Sequence, residues 1–136
     1  MKVAILSKRN SGRSLMAYAF FVRELHRRQL ETAIDVVVGG TDPAGTVQEE
    51  VRRAMQETDL DITGIVPREM EEEDLADADV LITIGFEASS VNVEGFDAEN
   101  VVWRVPSTEG ESLKQVRKAR DAIEEKVQEF LDEYGS

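Results

Sequence analysis

Apolar residues along this chain keep two rhythms, and the alternation between them predicts its elements. Short unbroken apolar runs read as buried strands at residues 2–6, 32–38, 79–85 and 100–105, the clearest being Val80-Leu81-Ile82. Between them, apolar positions recur at helical spacing. A first helix is expected over residues 15–29, a second over 47–58 on Val47, Val51 and Met55, and a short acidic one over 71–76. The last helix is expected over 112–134, with Val116, Ala119, Ile123, Val127 and Phe130 or Leu131 on one face. Its start, Ser112-Leu113-Lys114-Gln115, has capping-box form. Gly39-Gly40-Thr41-Asp42-Pro43 should end the second strand, and the irregular stretch 60–70 should be anchored by Ile62, Ile65 and Val66.

Strands separated by helical crossovers imply a parallel sheet. The expected fold class is α/β: three layers, a four-stranded parallel sheet with helices on both faces. At 136 residues the chain is expected to form one domain, residues 1–136, with no repeat or linker inside it. In such sheets ligands bind at the carboxyl ends of the strands. That places attention on the first loop.

This loop reads Ser7-Lys8-Arg9-Asn10-Ser11-Gly12-Arg13-Ser14. It leads from a buried strand directly into a helix, so its backbone N–H groups gather at the positive end of a helix dipole, a natural oxyanion site. Lys8, Arg9 and Arg13 fall inside it although the chain carries a net charge of −12. An anionic ligand accounts for this local reversal. For Lys8 and Arg9 the alternative is a solvated loop position, and for Arg13 a buried ion pair with an acidic loop residue such as Asp42.

The same residues carry a family resemblance. Strand, five-residue loop, Arg13-Ser14, then a helix beginning Met16-Ala17-Tyr18-Ala19-Phe20 resembles the low-molecular-weight protein tyrosine phosphatases, and more closely the thioredoxin-coupled arsenate reductases related to them. Gly40-Thr41-Asp42-Pro43 and Asp79-Val80-Leu81-Ile82-Thr83 extend the likeness. In that family the loop is Cys-x5-Arg-Ser: the thiolate attacks phosphorus or arsenic, while the arginine and loop amides hold the oxyanion. The resemblance implies that Arg13 clamps the anion and that Asn10 and Ser14 brace the loop.

What is missing decides the functional expectation. Ser7 stands at the nucleophile position, and the chain has no cysteine at all. A thiol is brought to its anionic form by a helix N-terminus and nearby cations; a hydroxyl starts several units higher and needs a base. The family's general acid is an aspartate in an Asp-Pro pair after the last strand. Here that stretch reads Val105-Pro106-Ser107-Thr108-Glu109, with Ser107 near the acid position and Glu109 as the one substitute. The resolving cysteines of the reductases, in and after Ile84-Gly85-Phe86-Glu87, are absent too. A serine introduced artificially would leave acid and relay in place, so their joint loss points to natural divergence. The expectation is a catalytically degenerate relative that binds phosphate or a similar oxyanion, free or on a phosphorylated partner, through residues 7–14. The alternatives are a weakly active phosphatase using Ser7 or an activated water, and an interaction module whose loop is a relic.

Composition narrows the rest. Acidic residues number 28 against 16 basic ones, of which only five are Lys, a balance that resembles proteins of salt-loving archaea. No nucleic-acid footprint, membrane span, secretory signal, metal or cofactor is expected, and a cytoplasmic protein is. Glu71 to Asp74 reads as a solvated helix start. His26 should lie on a solvated flank, Trp103 in the core or at a cleft rim, and Arg117–Asp121 and Arg120–Glu124 should pair along the last helix.

Overall fold

Continuous burial of the first strand follows from its place at the centre of the sheet. In the computed structural model, which describes residues 1–85 and 98–135, β1 (Lys2–Ser7) pairs in parallel with β2 (Asp35–Gly40) on one side and β3 (Val80–Ile84) on the other. β4 (Glu99–Trp103) pairs in parallel with β3, giving the order β2-β1-β3-β4. A strand flanked by partners and covered on both faces has no wet side, so it reads apolar throughout.

One face carries the larger core. Val3, Ile5, Ile82 and Ile84 meet α1 (Arg13–Arg27), α2 (Glu49–Gln56) and α4 (Leu113–Tyr134) through Leu15, Phe20, Phe21, Val51, Met55, Val116, Ile123 and Val127. The other face buries Ala4, Leu6 and Leu81 beneath Met70 and Leu75, the latter from α3 (Glu72–Ala76). The expected four-stranded parallel sheet with flanking helices is the observed fold.

Several boundaries move for local reasons. α1 begins two residues before the apolar period does, at Arg13, because Gly12 occupies its N-cap and Met16 N–H reaches the Gly12 carbonyl at 3.0 Å. β2 starts later and runs through Gly39 and Gly40, since Ser7 pairs with Gly40 and Arg68 and Met70 bond the Gly40 backbone from the outer edge. β4 ends at Trp103, short of Arg104 and Val105. Val66 is no anchor: it is 71% exposed, and Ile62 alone of the expected three is fully buried, with Ile65 packed partly against the core. Ser112 does cap α4, its Oγ accepting from Gln115 N–H at 3.3 Å.

The predicted ion pairs along α4 are replaced by pairs to neighbouring helices. Arg117 and Arg120 both donate to Glu57 at the end of α2, the closest contacts being 2.6 and 2.8 Å, while Glu124 accepts from Arg23 of α1 at 2.6 Å. Arg120 also donates to its α4 neighbour Asp121, at 2.9 Å. Hydrogen bonds from Arg117 and then Arg120 hold the Glu57 carboxyl at about 2, against an ordinary 4.5. A carboxyl depressed in the folded state adds stability above its unfolded pKa and loses it as the pH falls through the folded one. In acid titrations followed by circular dichroism at low ionic strength, Glu57→Gln is therefore expected to lose less stability than wild type between pH 4.5 and 2. Equal losses would show that solvent screening has removed the linkage.

Candidate oxyanion site

The strand order places the loop after β1 beside the end of β3, where the chain leaves β1 for β2 and β3 for β4 in opposite directions along the sheet. The loop is fixed by its carbonyls. Those of Ser7, Lys8, Arg9 and Ser11 accept from the N–H groups of Thr41, Asp42, Ala44 and Gln48 at 2.8 to 3.1 Å. Among the described residues no acceptor takes the N–H of Lys8, Arg9, Ser11, Gly12 or Arg13. With carbonyls spent on the protein side, the residues carrying these donors line a cavity at the α1 N-terminus.

Three side chains lock the interior of the loop into a ring. Asn10 N–H donates to Ser7 Oγ at 3.2 Å, Ser7 Oγ–H to Ser14 Oγ at 2.7 Å, and Ser14 Oγ–H to Asn10 Oδ1 at 2.9 Å. Asn10 adopts φ +49°, a left-handed conformation that asparagine tolerates better than most side chains. Asn10 and Ser14 thus brace the loop, as the family pattern implied. Ser7 is 5% exposed at the floor of a cavity of about 250 Å³ lined by residues 7–13, Gln48, Gly85 and residues 107–109.

The cations separate into two roles. Arg9, not Arg13, pairs with Asp42, at 2.8 Å. Arg13 instead donates Nη1–H to the Val105 carbonyl at 2.6 Å, and no carboxylate among the described residues faces it. Burial lowers its pKa from the ordinary value, yet a guanidinium remains cationic. Lys8 is exposed at the cavity rim.

Residues that sequence reasoning missed close the site from the far side. Thr108 Oγ1–H donates to Gln48 Oε1 at 3.0 Å, and Gln48 Nε2–H donates to Ser11 Oγ at 3.2 Å. The pair lies directly over Gly12, where a Cβ would stand 2.5 Å from Thr108 Oγ1 and 2.8 Å from Gln48 Nε2, so a side chain there would have to push the pair aside. Gln48 is 37 residues from Ser11 and 60 from Thr108, and nothing in the sequence links them. Ser107 accepts Glu109 N–H at 3.3 Å, and both residues border the cavity without contacting Ser7.

Elsewhere, His26 is 82% exposed and bonded to Glu31 at 3.0 Å, on the solvated flank as expected. Trp103 stacks on Phe21 in the core while bordering a neighbouring cavity with Arg13. Phe86 and Glu87 lie outside the described residues. Among the described residues no three His, Asp or Glu side chains are grouped to hold a metal ion, and no helix is long and apolar enough to cross a membrane.

The model of the family described as low molecular weight phosphotyrosine protein phosphatase matches residues 2–135. The chain belongs to this family. A provisionally named arsenate reductase of Halobacterium salinarum is 35% identical over 133 residues, covering 98% of this chain and 92% of that one. Among solved structures, an arsenate reductase in the phosphate binding state is 25% identical with a TM-score of 0.79, covering 97% of each chain. A YwlE arginine phosphatase with a cysteine-to-serine change and a phosphorylated active-site serine is 20% identical with a TM-score of 0.88, covering 100% of this chain and 97% of that one. This family member has no cysteine.

Proposed function

We propose that this chain is a catalytically degenerate member of its family that holds a tetrahedral oxyanion at residues 7–14 without turning it over. The observation that carries the reading is the pairing of an intact donor set with a spent nucleophile. Loop amides and the Arg13 guanidinium remain without anionic partners among the described residues, while the Ser7 proton is committed to Ser14 and, through it, to an amide oxygen that cannot act as a base. An arginine fork and backbone amides at a helix start both favour tetrahedral anions. The phosphate binding state of a related arsenate reductase supports phosphate or arsenate as the ligand.

Acid excess, scarce lysine and a Halobacterium relative support a salt-rich cytoplasm as the working medium. The test is accordingly a titration with phosphate, arsenate and sulfate in concentrated KCl, following the loop amides and the Arg13 side chain by NMR. Saturable shifts confined to residues 7–14, and binding weakened roughly tenfold or more in Arg13→Ala, are expected. No response at any ligand concentration overturns the reading and leaves the loop a relic in an interaction module.

A second reading is favoured by one relative. In the YwlE variant the active-site serine carries a phosphoryl group, so a serine in this fold can take one up. Ser7 would then accept phosphoryl from an activated donor such as an acyl phosphate: the Oγ–P bond forms, the donor's P–O bond breaks, and the serine proton leaves with the departing carboxylate. Mass spectrometry after incubation with acetyl phosphate reads this directly, and an unmodified Ser7 excludes it.

A further inference from the structure

Arg13 reaches its position because residue 85 has no side chain. Gly85, directly after β3, adopts φ +89°, and a Cβ there would stand 2.5 Å from Arg13 Nη1 and Nη2 and 2.6 Å from Cζ. From the other side the Val105 carbonyl accepts Nη1–H at 2.6 Å. The guanidinium therefore fills a slot between the ends of β3 and β4, facing the loop that follows β1. Its Nε and Nη2 donors find no acceptor among the described residues.

We infer that Gly85 is the positioning residue of the oxyanion site, its missing Cβ allowing Arg13 to span from α1 to the Val105 carbonyl and so fixing which guanidinium donors face the ligand. This deepens the oxyanion reading above and rests on it. The slot has a directional consequence. All three atoms that a Cβ would strike belong to the far end of a flexible side chain, so the guanidinium yields before the backbone does. An added methyl group should cost anion affinity while leaving the sheet in place. Backbone strain at a left-handed glycine is a separate effect and needs its own control. Gly110 supplies it: it has φ +74°, and a Cβ added there would meet nothing within 4 Å.

The experiment compares wild type, Gly85→Ala, Arg13→Ala, Gly110→Ala and the double variant Arg13→Ala/Gly85→Ala in concentrated KCl, by thermal unfolding, by the Arg13 Nε–H resonance without ligand, and by phosphate titration. Gly85→Ala is expected to remain folded, to shift the Arg13 resonance before any phosphate is added, and to bind phosphate roughly tenfold to a hundredfold more weakly, the scale of losing a charge-assisted hydrogen bond. Gly110→Ala should match wild type in the Arg13 resonance and in phosphate affinity, and the double variant should bind no worse than Arg13→Ala alone. Unchanged phosphate affinity in Gly85→Ala, or losses from the two sites that add, overturns the inference while the oxyanion reading stands. A wild-type protein that ignores phosphate overturns both. Should Gly85→Ala fail to fold, Gly85→Asn, which better tolerates the left-handed backbone while still adding a Cβ, takes its place.

Discussion

Ser7→Cys is expected to create a phosphatase for activated esters, raising turnover of p-nitrophenyl phosphate about a thousandfold or more above wild type. Among the described residues the wild-type hydroxyl meets no base: its proton points to Ser14, and His26 is on the solvated flank of α1. A thiol at the same point starts near pKa 8.5 and is pulled down by the α1 N-terminus and the Arg13 cation. The Asn10 N–H that now donates to Ser7 Oγ would donate to the thiolate, and Ser14 can turn its hydroxyl to do the same. p-Nitrophenolate departs without a proton, so the missing acid does not matter for this substrate. For phosphotyrosine it does matter, and Ser7→Cys alone should stay slow there. Adding Ser107→Asp should then raise the phosphotyrosine rate by roughly 10²–10⁴-fold, the ordinary worth of a general acid. No gain on p-nitrophenyl phosphate in the cysteine variant would mean that the loop does not hold a phosphoryl group in line with residue 7, and the oxyanion reading would fall with it.

Arsenate reduction is not expected to return in the same variant. On the family pattern that chemistry needs further thiols; the chain has no cysteine to supply them, and the end of β3 is the seat of the Arg13 guanidinium. Position 85 cannot hold a side chain and the guanidinium at once. Recovery of a hydrolytic step without a redox step is what this packing predicts.

How much of this was legible in the sequence depended on distance along the chain. Apolar runs and helical spacing are local signals, and they placed all four strands and the helices that flank them. The Arg13-Ser14 pair and the loop before it are local as well, and the bracing roles of Asn10 and Ser14 came with the motif. Partner choice is not local. Whether Asp42 would meet Arg9 or Arg13 depends on how the loop after β2 folds back over the loop after β1, which four backbone hydrogen bonds decide. The Thr108-Gln48-Ser11 bridge and the Gly85 slot join residues from three crossovers and the segment after β4, and no pattern within any one of these marks them. Val66 failed for a simpler reason: an apolar residue in an irregular segment carries no period to say which way it faces.

Phe21→Ala is expected to destabilise the fold by about 3–5 kcal/mol while leaving anion affinity unchanged. Phe21 is fully enclosed, its ring parallel to Trp103 at 6.2 Å between centroids and edge-on to Phe130 at 5.5 Å. It thereby ties α1 to the end of β4 and to α4, and truncation removes both ring contacts and opens a cavity that a sheet and two helices cannot readily close. A loss of this size is a large part of an ordinary domain's total stability, so the midpoint of urea unfolding should fall sharply with its slope preserved. Trp103 is the chain's only tryptophan and reports the transition by fluorescence. Affinity should not follow, because Phe21 lies eight residues beyond Arg13, about 12 Å along α1, and the loop is held by its own ring and by bonds to the β2 side rather than by the aromatic cluster. Phosphate binding that weakens in step with stability, measured on the folded fraction in concentrated KCl, would show instead that the cluster sets the position of the α1 N-terminus. In that case Trp103, which borders the Arg13 cavity on one side and Phe21 on the other, would be the residue that transmits the change.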